Sequence, residues 1–341
     1  KQYYIFNKHV GREEYEKFIV ENINGSRSKF MELKAKSEML WHSVPQRASF
    51  IDRSVNSQGN LIKDSKNCKD VWSTEKSENT SHALFALEAK DSMDITSVWK
   101  SELCYETCGG MYASNTSFSL FMWSQADNIY YSNFTFTANN CFGCSNLRHG
   151  EYPILNKKYS KDEYFEMVEK IKKHMDDMPY IDKKGRIYKY GEFFPYEFSA
   201  FSYEETVAGE YFPLSEEGKM SEGVNSLDHS IETNYDVDIV SPPDSIKDVS
   251  DEILSQAIKC EKTGKLFKII QMELQFYRRF NLPIPTESPT SRHHKRRQFI
   301  SDHLRLVERS CHKCMQNIES VYTEVEFPMV YCDKCYHEEM Y

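Results

Sequence analysis

The chain has 341 residues, of which 40% are hydrophobic and 28% charged, and its formal net charge is −9. This composition is typical of a folded soluble protein, and the acidic balance disfavours a general nucleic-acid coat. No run of about 18 apolar residues occurs, so no membrane span is predicted. No signal peptide is visible, and because the chain starts at Lys1 rather than Met, we expect its true N-terminus to lie further upstream.

Residues 1–50 contain the first copy of an internal duplication. The segment QYYIFNKHVGREEYEKFIV from residue 2 matches EYPILNKKYSKDEYFEMVE from residue 151, a constant offset of 149 (151 minus 2). Six pairs of residues are identical in phase: Tyr3/Tyr152, Ile5/Ile154, Asn7/Asn156, Lys8/Lys157, Glu14/Glu163 and Tyr15/Tyr164. The second copy carries Ser160-x-x-Glu163, a capping box that predicts a helix over roughly 161–176. In the first copy, Gly11 takes the cap position.

Residues 51–150 align without gaps into units of twelve from residue 65. The third position of the unit is Asn67, Asn79, Asp91, Leu103, Asn115, Asp127 and Asn139. Small or polar residues fill the first and fourth positions, among them Ser65, Ser77, Ala89, Ser101, Ala113, Gln125 and Thr137, and Cys68, Thr80, Ser92, Cys104, Thr116, Asn128 and Asn140. Asn and Asp suit left-handed corners, and stacked Asn side chains form ladders. The pattern predicts a β-solenoid, with RSVNSQGNLIKD as a degenerate first unit.

The repeat is compatible with a coil of one unit (twelve residues) or of two units (24 residues). Seven coils of twelve residues would stand about 34 Å tall at roughly 4.8 Å per layer, and coils of 24 residues about half that. We expect the longer coil, because β-helix coils usually need more than twelve residues. A β-sandwich with accidental spacing is the alternative fold. Large side chains such as Val71, Ile95, Val98 and Trp99 would fill the interior or cover a face.

The ends of a solenoid expose strand edges, so each end needs a cap. The helix that follows the repeat, within residues 151–176, is predicted to supply one. By symmetry, the copy in residues 1–50 is expected to follow an earlier solenoid that this chain lacks.

Five cysteines lie within the repeat, and two explanations apply to the four beyond Cys68. We expect Cys104, Cys108, Cys141 and Cys144 to be small buried side chains. The alternative for Cys141-x2-Cys144, which precedes Leu147-Arg148-His149, is half of a metal site. The repeat also offers carboxylates without a paired spacing, at Asp64, Asp70, Asp91, Asp94 and Asp127.

Residues 151–250 are predicted to be a helical cap followed by an aromatic connector. The stretch GEFFPYEFSAF is expected to pack against another part of the protein. Ser202-x-x-Glu205 predicts a short helix that ends at Pro213, and VSPPDSIKDVSD is predicted to be a linker.

Residues 251–300 are predicted to be a degenerate zinc-ribbon-like module with a helix and a basic patch. The helix spans about 270–280, with Leu274, Phe276 and Tyr277 as packing candidates. Cys260-x2-Thr263 and Ser288-x2-Ser291 keep the spacing of a zinc ribbon but lack three of its thiols. A dense basic run follows, made of Arg292, His293, His294, Lys295, Arg296 and Arg297. Such a run contacts phosphates in nucleic-acid-binding proteins, or is a solvated helix face or a patch that docks onto the acidic rest of an assembly.

Residues 301–341 are predicted to be a four-cysteine zinc ribbon. Cys311-x2-Cys314 and Cys332-x2-Cys335 are separated by seventeen residues, which can form a short hairpin. Four thiolates satisfy tetrahedral Zn²⁺ and leave no position for substrate, so one structural zinc is expected. An iron site or a redox pair is the alternative. Thiolate ligands also indicate a reducing compartment.

The runs CEKTGKLFKI, ELQFYRRFNLPIP, SPTSRHHKRR, CHKC and VYCDKCY, with NCFGCSNLRHGEYPILNKKYSKDEY, resemble an uncharacterised family of β-solenoid and zinc-ribbon proteins from uncultivated bacteria and large viruses. The resemblance covers most of residues 50–340. The family pattern has cysteine where this chain has Thr263, Ser288 and Ser291, which puts a metal in the first ribbon in doubt. The resemblance implies an architecture and no established activity.

The expected function is that of a non-catalytic scaffold, a structural component of a virion, shell or other large complex. Its partners would be other protein subunits, with neither a membrane nor a small-molecule substrate, and it would lie in the cytoplasm or in a particle. The first alternative is a nucleic-acid-binding protein that uses the run 292–297 and the ribbon. The second is a carbohydrate-active β-helix enzyme, because such enzymes place carboxylates on one solenoid face.

Overall fold

The computed structural model describes residues 1–227, 237–301 and 303–340, with the side chains of all of these except 298–301. The first copy of the duplication is a hairpin followed by a helix, and a second helix leads to the solenoid. Their bounds are β1 Tyr3–Ile5, β2 Lys8–Val10, α1 Arg12–Asn22, α2 Arg27–Ser43 and β3 Gln46–Arg47. Gly11 is the N-cap of α1, as predicted, and makes no side-chain cap bond.

A β-solenoid of about nine turns forms the centre of the molecule, which confirms the predicted fold class. Its strands pair in parallel, and their bounds are β4 Ile51–Asp52, β5 Gly59–Lys63, β6 Lys69–Glu75, β7 Glu78–Leu87, β8 Lys90–Trp99, β9 Glu102–Tyr130, β10 Asn133–Phe142 and β11 Ser145–Glu151. The degenerate first unit is part of this sheet, as predicted, because β5 pairs with β6.

One coil contains twelve residues, so the expected coil of 24 residues is wrong. Val71 of β6 pairs with Ala83 of β7, and Ala83 pairs with Ile95 of β8, twelve residues further on each time. From Leu61 to Phe121 every third residue has a φ between 44° and 71°, and the residue after it is buried. Each coil therefore has four tight corners, which is why twelve residues suffice to close it.

An Asn/Asp ladder follows one corner of the coil. The Asn67 amide donates to Asn79 at 3.0 Å, and the Asn79 amide donates to Asp91 at 2.8 Å. All three residues have left-handed φ angles. The recurring Asn or Asp therefore marks a fixed place in the coil, as the repeat predicts.

A one-residue insertion shifts the upper end of this ladder. Both Ser124 and Gln125 have positive φ, and the offset between β9 and β10 is thirteen residues at Trp123 and Phe136 but twelve further along. Asn115 consequently donates to Asn128 and not to Asp127. The gapless alignment that placed Asp127 and Asn139 at the corner is wrong for the last two units.

The interior of the solenoid is filled by small side chains. The buried cluster includes Ala86, Ala89, Ile95, Val98 and Cys104, among other residues. Buried hydroxyl groups bond to the backbone: Ser77 Oγ donates to the carbonyl of Glu75 and accepts from the N–H of Ala89 at 3.0 Å. The hydroxyls thus satisfy backbone groups at the corners that would otherwise be buried without a partner.

The second copy of the duplication closes the far end of the solenoid, as predicted. Its elements are β12 Pro153–Ile154, β13 Lys157–Lys158 and α3 Lys161–Asp177. The predicted capping box of Ser160 and Glu163 is present. Ile154, Tyr164 and Val168 are buried in one cluster with Phe142 of the last strands.

The connector packs against one solenoid face. Its elements are β14 Tyr180–Ile181, β15 Ile187–Tyr188, the 3₁₀ turns Tyr196–Phe198 and Tyr203–Glu205, α4 Val207–Tyr211 and α5 Glu216–Glu222. Phe194 of the aromatic stretch lies 6.0 Å from the Tyr131 ring, which confirms the predicted packing. Ser202 and Glu205 form a capping box, as predicted.

The next module has its own buried cluster, which includes Ile258, Ile269, Leu274 and Tyr277. Its elements are β16 Ile239–Val240, the 3₁₀ turns Ile246–Asp248 and Asp251–Leu254, β17 Ala257–Lys259, β18 Leu266–Phe267, α6 Gln271–Arg279 and α7 Pro289–Ser301. Helix α6 confirms the prediction over 270–280, with Leu274 and Tyr277 buried. Phe276 is 52% exposed, so its expected burial is wrong.

The C-terminal elements are β19 Val307–Ser310, β20 Asn317–Ser320, β21 Val330–Tyr331 and α8 Asp333–Met340. Strands β19 and β20 pair antiparallel, so the hairpin encloses Cys311 and Cys314 and does not lie within the seventeen-residue spacer as expected. Strand β21 pairs in parallel with β3, which brings the C-terminus to the first coil of the solenoid.

Candidate metal centre

The first pair of cysteines lies on a tight turn at the tip of the β19–β20 hairpin. The Cys311 N–H donates to the Gln316 carbonyl at 2.8 Å, and the Met315 N–H donates to the Cys311 carbonyl at 2.9 Å. Met315 has a φ of 61°, the left-handed geometry that reverses the chain after the second cysteine. This turn holds the side chains of Cys311 and Cys314 on the same side.

The second pair lies where β21 passes into α8. The Cys335 N–H points at Cys332 Sγ over 3.4 Å, and the Cys332 N–H donates to Cys311 Sγ at 3.2 Å. The second bond joins the two pairs, which are far apart in sequence.

The four sulfur atoms converge, as the sequence predicts. All of them lie within 4.8 Å of one another, and Cys314 Sγ lies 3.9 Å from Cys332 Sγ. Tetrahedral zinc with Zn–S bonds of about 2.3 Å would place its sulfurs about 3.8 Å apart, whereas a disulfide needs about 2.05 Å. The four thiols are free and fit a metal ion.

The electrostatics of the four thiols differ. Burial opposes ionisation of Cys311, but the N–H groups of Cys314 and Cys332 outweigh it and lower the Cys311 pKa to about 6. Burial and the neighbouring sulfurs raise the Cys335 pKa to about 12. Four thiolates at this spacing repel one another, and a dication is the group that would offset the repulsion.

The four-cysteine module also covers the first coil of the solenoid. The Gln46 N–H donates to the Met329 carbonyl at 2.8 Å, and the Ala48 N–H donates to the Tyr331 carbonyl at 3.1 Å. Arg47 forms an ion pair with Asp333, one residue from Cys332. The near end of the solenoid is therefore capped by the cysteine module, and not by the helices of residues 1–50.

Hydrogen bonds hold together the degenerate module. Cys260 Sγ lies 3.3 Å from Ser291 Oγ and accepts from the Ser288 N–H at 3.3 Å, and Ser288 Oγ lies 3.2 Å from Ser291 Oγ. Burial opposes ionisation of Cys260, but bonds from Ser288, Ser291 and Thr263 lower its pKa to about 6. The four positions of a zinc ribbon thus meet in space, with hydroxyls in three of them.

The solenoid cysteines pack as predicted, with one exception. Cys104, Cys141 and Cys144 belong to the buried solenoid cluster. Cys108 is half-buried and faces the cavity beneath the connector, so its expected place in the core is wrong.

The basic run lies on α7, and most of its charges meet acidic groups of this chain. Arg292 pairs with Glu273 at 3.5 Å, and Lys295 pairs with Glu287 at 3.1 Å. Both His293 and Arg297 contact Glu210 of the connector, at 2.7 and 3.2 Å. His294 and Arg296 are exposed. The run therefore joins the module to the connector of the same chain.

A cavity of about 490 Å³ lies between the solenoid and the connector. Asp94 and Glu106 line it from successive coils, and Glu192 lines it from the connector. One Glu106 oxygen is buried without a hydrogen-bond partner, and burial, with the charges of Asp94 and Glu192, raises its pKa. The sequence offered Asp94 as a candidate but missed Glu106, although the offset of twelve residues pairs the two.

The other candidate carboxylates are engaged elsewhere. Asp64 accepts two bonds from Arg53, at 2.7 and 2.8 Å, and Asp70 lies 3.0 Å from His82. Asp91 and Asp127 accept from neighbouring Asn side chains.

No protein-family model matches the sequence, and a search of the curated proteins finds no significant relative. Among the described residues, no helix combines the length and the apolar character that a bilayer crossing requires.

Proposed function

We propose that this protein is a non-catalytic scaffold that binds other protein subunits within a large assembly, such as a virion or shell. The observation that carries the proposal is an exposed aromatic surface on the upper coils of the solenoid. Trp99, Phe121, Trp123 and Phe134 are between 39% and 42% exposed. Phe121 and Phe134 stack on successive coils with ring centroids 4.8 Å apart. We call these four residues the aromatic surface.

The lower coils show how such a surface is covered. Phe85, which lies three coils below Phe121 in the same column of corners, is 6.4 Å from the Tyr211 ring of the connector. A small cavity there is lined by Trp72, Phe85 and Tyr322, so the C-terminal half of the chain covers this part of the face. The same face stays exposed higher up, and ordered aromatic side chains left in water are typical of a protein–protein contact.

Fractionation of a native extract by size tests the scaffold role. The wild-type chain should elute at high mass with a defined set of proteins in stoichiometric amounts. A Trp123→Glu/Phe134→Glu variant should fold but elute as the free chain, because charge on the aromatic surface opposes burial. Leu103→Glu is the control, since Leu103 is 55% exposed at a corner half a coil away from Phe121. A wild-type chain that elutes free of partners would contradict the proposal.

We propose zinc as the metal of the four-cysteine centre, with a structural role. Four sulfur ligands favour Zn²⁺ over hard cations, and a site filled by four protein ligands leaves no position for substrate. Elemental analysis should find about one zinc per chain, and Cys332→Ser should abolish binding. Cys260→Ser, in the degenerate module, should leave the metal content unchanged. Iron in place of zinc, or a metal-free wild-type chain, would refute this assignment.

Carbohydrate binding or cleavage is a second candidate, favoured by the cavity between solenoid and connector. Retaining glycosidases use two carboxyl groups about 5 Å apart, of which the acid has a raised pKa. Asp94 and Glu106 lie on successive coils, whose strands are about 4.8 Å apart. If this cavity is a glycosidase site, Glu106→Gln abolishes release of sugar from an oligosaccharide panel. No turnover by the wild-type chain on the panel would remove the candidate.

Nucleic-acid binding has less support, because Glu210, Glu273 and Glu287 already pair with the basic run. Binding that weakens with salt and is lost on changing Arg296 and Arg297 to Glu would revive it.

A further inference from the structure

The two copies of the duplication have the same local structure. Ile5 pairs with Lys8 in the first hairpin, and Ile154 pairs with Lys157 in the second. Both hairpins turn through two residues of positive φ: Phe6 at 48° and Asn7 at 64°, then Leu155 at 48° and Asn156 at 63°. The ring pairs that join each hairpin to its helix also correspond, with Tyr3 and Tyr15 5.2 Å apart and Tyr152 and Tyr164 5.7 Å apart.

The second copy binds the last coil of the solenoid in three ways. Its first strand continues the parallel sheet, with Ile154 paired to Phe142. Asn156 forms two bonds with the backbone of Ser145, donating to its carbonyl at 2.7 Å and accepting from its N–H at 2.9 Å. Tyr164 and Val168 of α3 bury their side chains on the same end.

The first copy has the equivalent strand, Asn and helix residues, but among the described residues no coil packs against them. Strand β1 pairs only with β2 in the part of the chain that the structure describes, so its other edge is unpaired there. Asn7 is exposed, and α1 has no buried residue. The equivalents of Ile154, Tyr164 and Val168 are Ile5, Tyr15 and Ile19, and all three are only half-buried.

We propose that residues 3–19 cap the last coil of a second β-solenoid, which has the same twelve-residue coil and leads directly into residue 2. The duplication indicates what covers this surface of the first copy, because a solenoid coil covers the equivalent surface of the second copy. The solenoid precedes residue 2 in the same polypeptide, because Glu151, the equivalent of Gln2, ends strand β11 of the covered coil without a linker. A second copy of this chain fits less well, since both of its solenoid ends are already capped.

Under this proposal each contact has a stated counterpart. Asn7 forms the paired backbone bonds that Asn156 forms with Ser145. The free edge of β1 pairs with the last coil as β12 pairs with Phe142. The chain would then carry two solenoids in tandem, each closed by a hairpin and helix, which doubles the surface available to partners. The inference does not depend on the scaffold role.

A chimera of the full chain tests whether the first copy is a cap. Residues 152–159 and 161–168 are replaced by residues 3–10 and 12–19, while Ser160 is retained so that the helix keeps its N-cap. The chimera should remain monomeric and unfold within about 5 °C of the wild type. The same chimera with Ala in place of the Asn7 residue should unfold at a lower temperature. If the chimera aggregates while the reverse replacement in residues 3–19 is tolerated, the first copy is not a cap.

The polypeptide upstream of Lys1 tests whether a second solenoid covers the first copy. Its sequence should place small or apolar residues at every third position in the coils that precede Lys1. With that polypeptide attached, amide exchange at Tyr3 and Phe6 should slow at least tenfold relative to the 341-residue chain, because the equivalent N–H groups of Tyr152 and Leu155 donate to the coil carbonyls of Asn139 and Phe142. Equal exchange in both chains, an upstream sequence without the three-residue period, or no upstream polypeptide would each overturn the proposal, even if the chimera folds.

Discussion

One residue of this solenoid, Leu103, occupies a left-handed corner to which its residue type is poorly suited. Leu103 has a φ of 53°, in the column of corners that holds Asn67, Asn79 and Asp91, and it interrupts their ladder. Asn adopts this geometry at lower cost than Leu and would bond to Asp91. Because Leu103 is 55% exposed, little apolar burial is lost. We expect Leu103→Asn to raise the free energy of unfolding by about 1 kcal/mol, measured in denaturant.

Asn79→Leu is the matched change in the opposite direction. It removes the bonds to Asn67 and Asp91, and should lower the free energy of unfolding by about 1–2 kcal/mol. If both variants change stability in the same direction, the ladder does not stabilise the solenoid.

Single residues also show what the sequence could and could not predict. Asn67, Asn79 and Asp91 revealed the period, because a corner with special backbone geometry restricts the residue type. A period of three is also present, because Ser65, Cys68 and Val71 are inward-facing small side chains. The expected coil of 24 residues is wrong because it rests on the period of twelve alone. The extra residue at Gln125 leaves no mark in a gapless alignment, because Asp127 and Asn139 still supply Asp or Asn at the third position, although Asn128 and Asn140 occupy the corner.

Helix α3 should be required for the solenoid end to stay closed. Tyr164 is 3% exposed and packs between the helix and the last coil. Tyr164→Ala should lower the free energy of unfolding by about 3 kcal/mol and promote self-association through the uncovered strand edge. Sedimentation velocity with denaturant unfolding would measure both effects.

Tyr15→Ala is the control in the first copy. Tyr15 is half-buried, and no described part of this chain covers it as the last coil covers Tyr164. Tyr15→Ala should therefore lower the free energy of unfolding by less than Tyr164→Ala does. Equal decreases in the free energy of unfolding would show that each Tyr ring stabilises only its own hairpin and helix, and not the contact with a coil.

The degenerate module should accept a metal once its thiols are restored. Its hydroxyl positions already meet near Cys260, because Ser291 Oγ lies 3.3 Å from Cys260 Sγ and 3.2 Å from Ser288 Oγ. The triple variant Thr263→Cys/Ser288→Cys/Ser291→Cys should bind a second zinc, so that elemental analysis finds about two per chain. Binding of only one zinc would show that the module has diverged too far from ribbon geometry.

The sequence predicted this module and the four-cysteine module from ligand spacing, which is a local property. It did not predict that the hairpin encloses the first cysteine pair, because the strand residues around Cys311 carry no alternating pattern. Glu106 was missed for a related reason: its partner Asp94 becomes a neighbour only when the coil length is known.

The return of the C-terminus to the first coil links the metal centre to the whole solenoid. Strand β21 leads into Cys332 and pairs with β3, so if the four cysteines hold the proposed zinc, its loss should release this cap. In Cys332→Ser, amide exchange at Gln46 and Ala48 should increase and spread into β4 and β5, because coils stabilise their neighbours in sequence. Exchange at Leu155, at the far end, should stay unchanged and serves as the control.

Unchanged exchange at Gln46 and Ala48 would show that the module docks on the solenoid without its metal. No sequence pattern indicated this contact, since strands β3 and β21 have only two residues each and lie more than 280 positions apart (330 minus 46).

The proposed scaffold role requires that a partner protein covers the aromatic surface in a native assembly. Oxidative footprinting of Trp123 in native extract and in the purified chain tests this directly, with Trp41 of α2, which is 55% exposed, as the internal reference. If a partner covers this surface, oxidation of Trp123 should fall several-fold in the extract relative to that of Trp41. Equal oxidation of Trp123 in the extract and in the purified chain would contradict the proposed scaffold role.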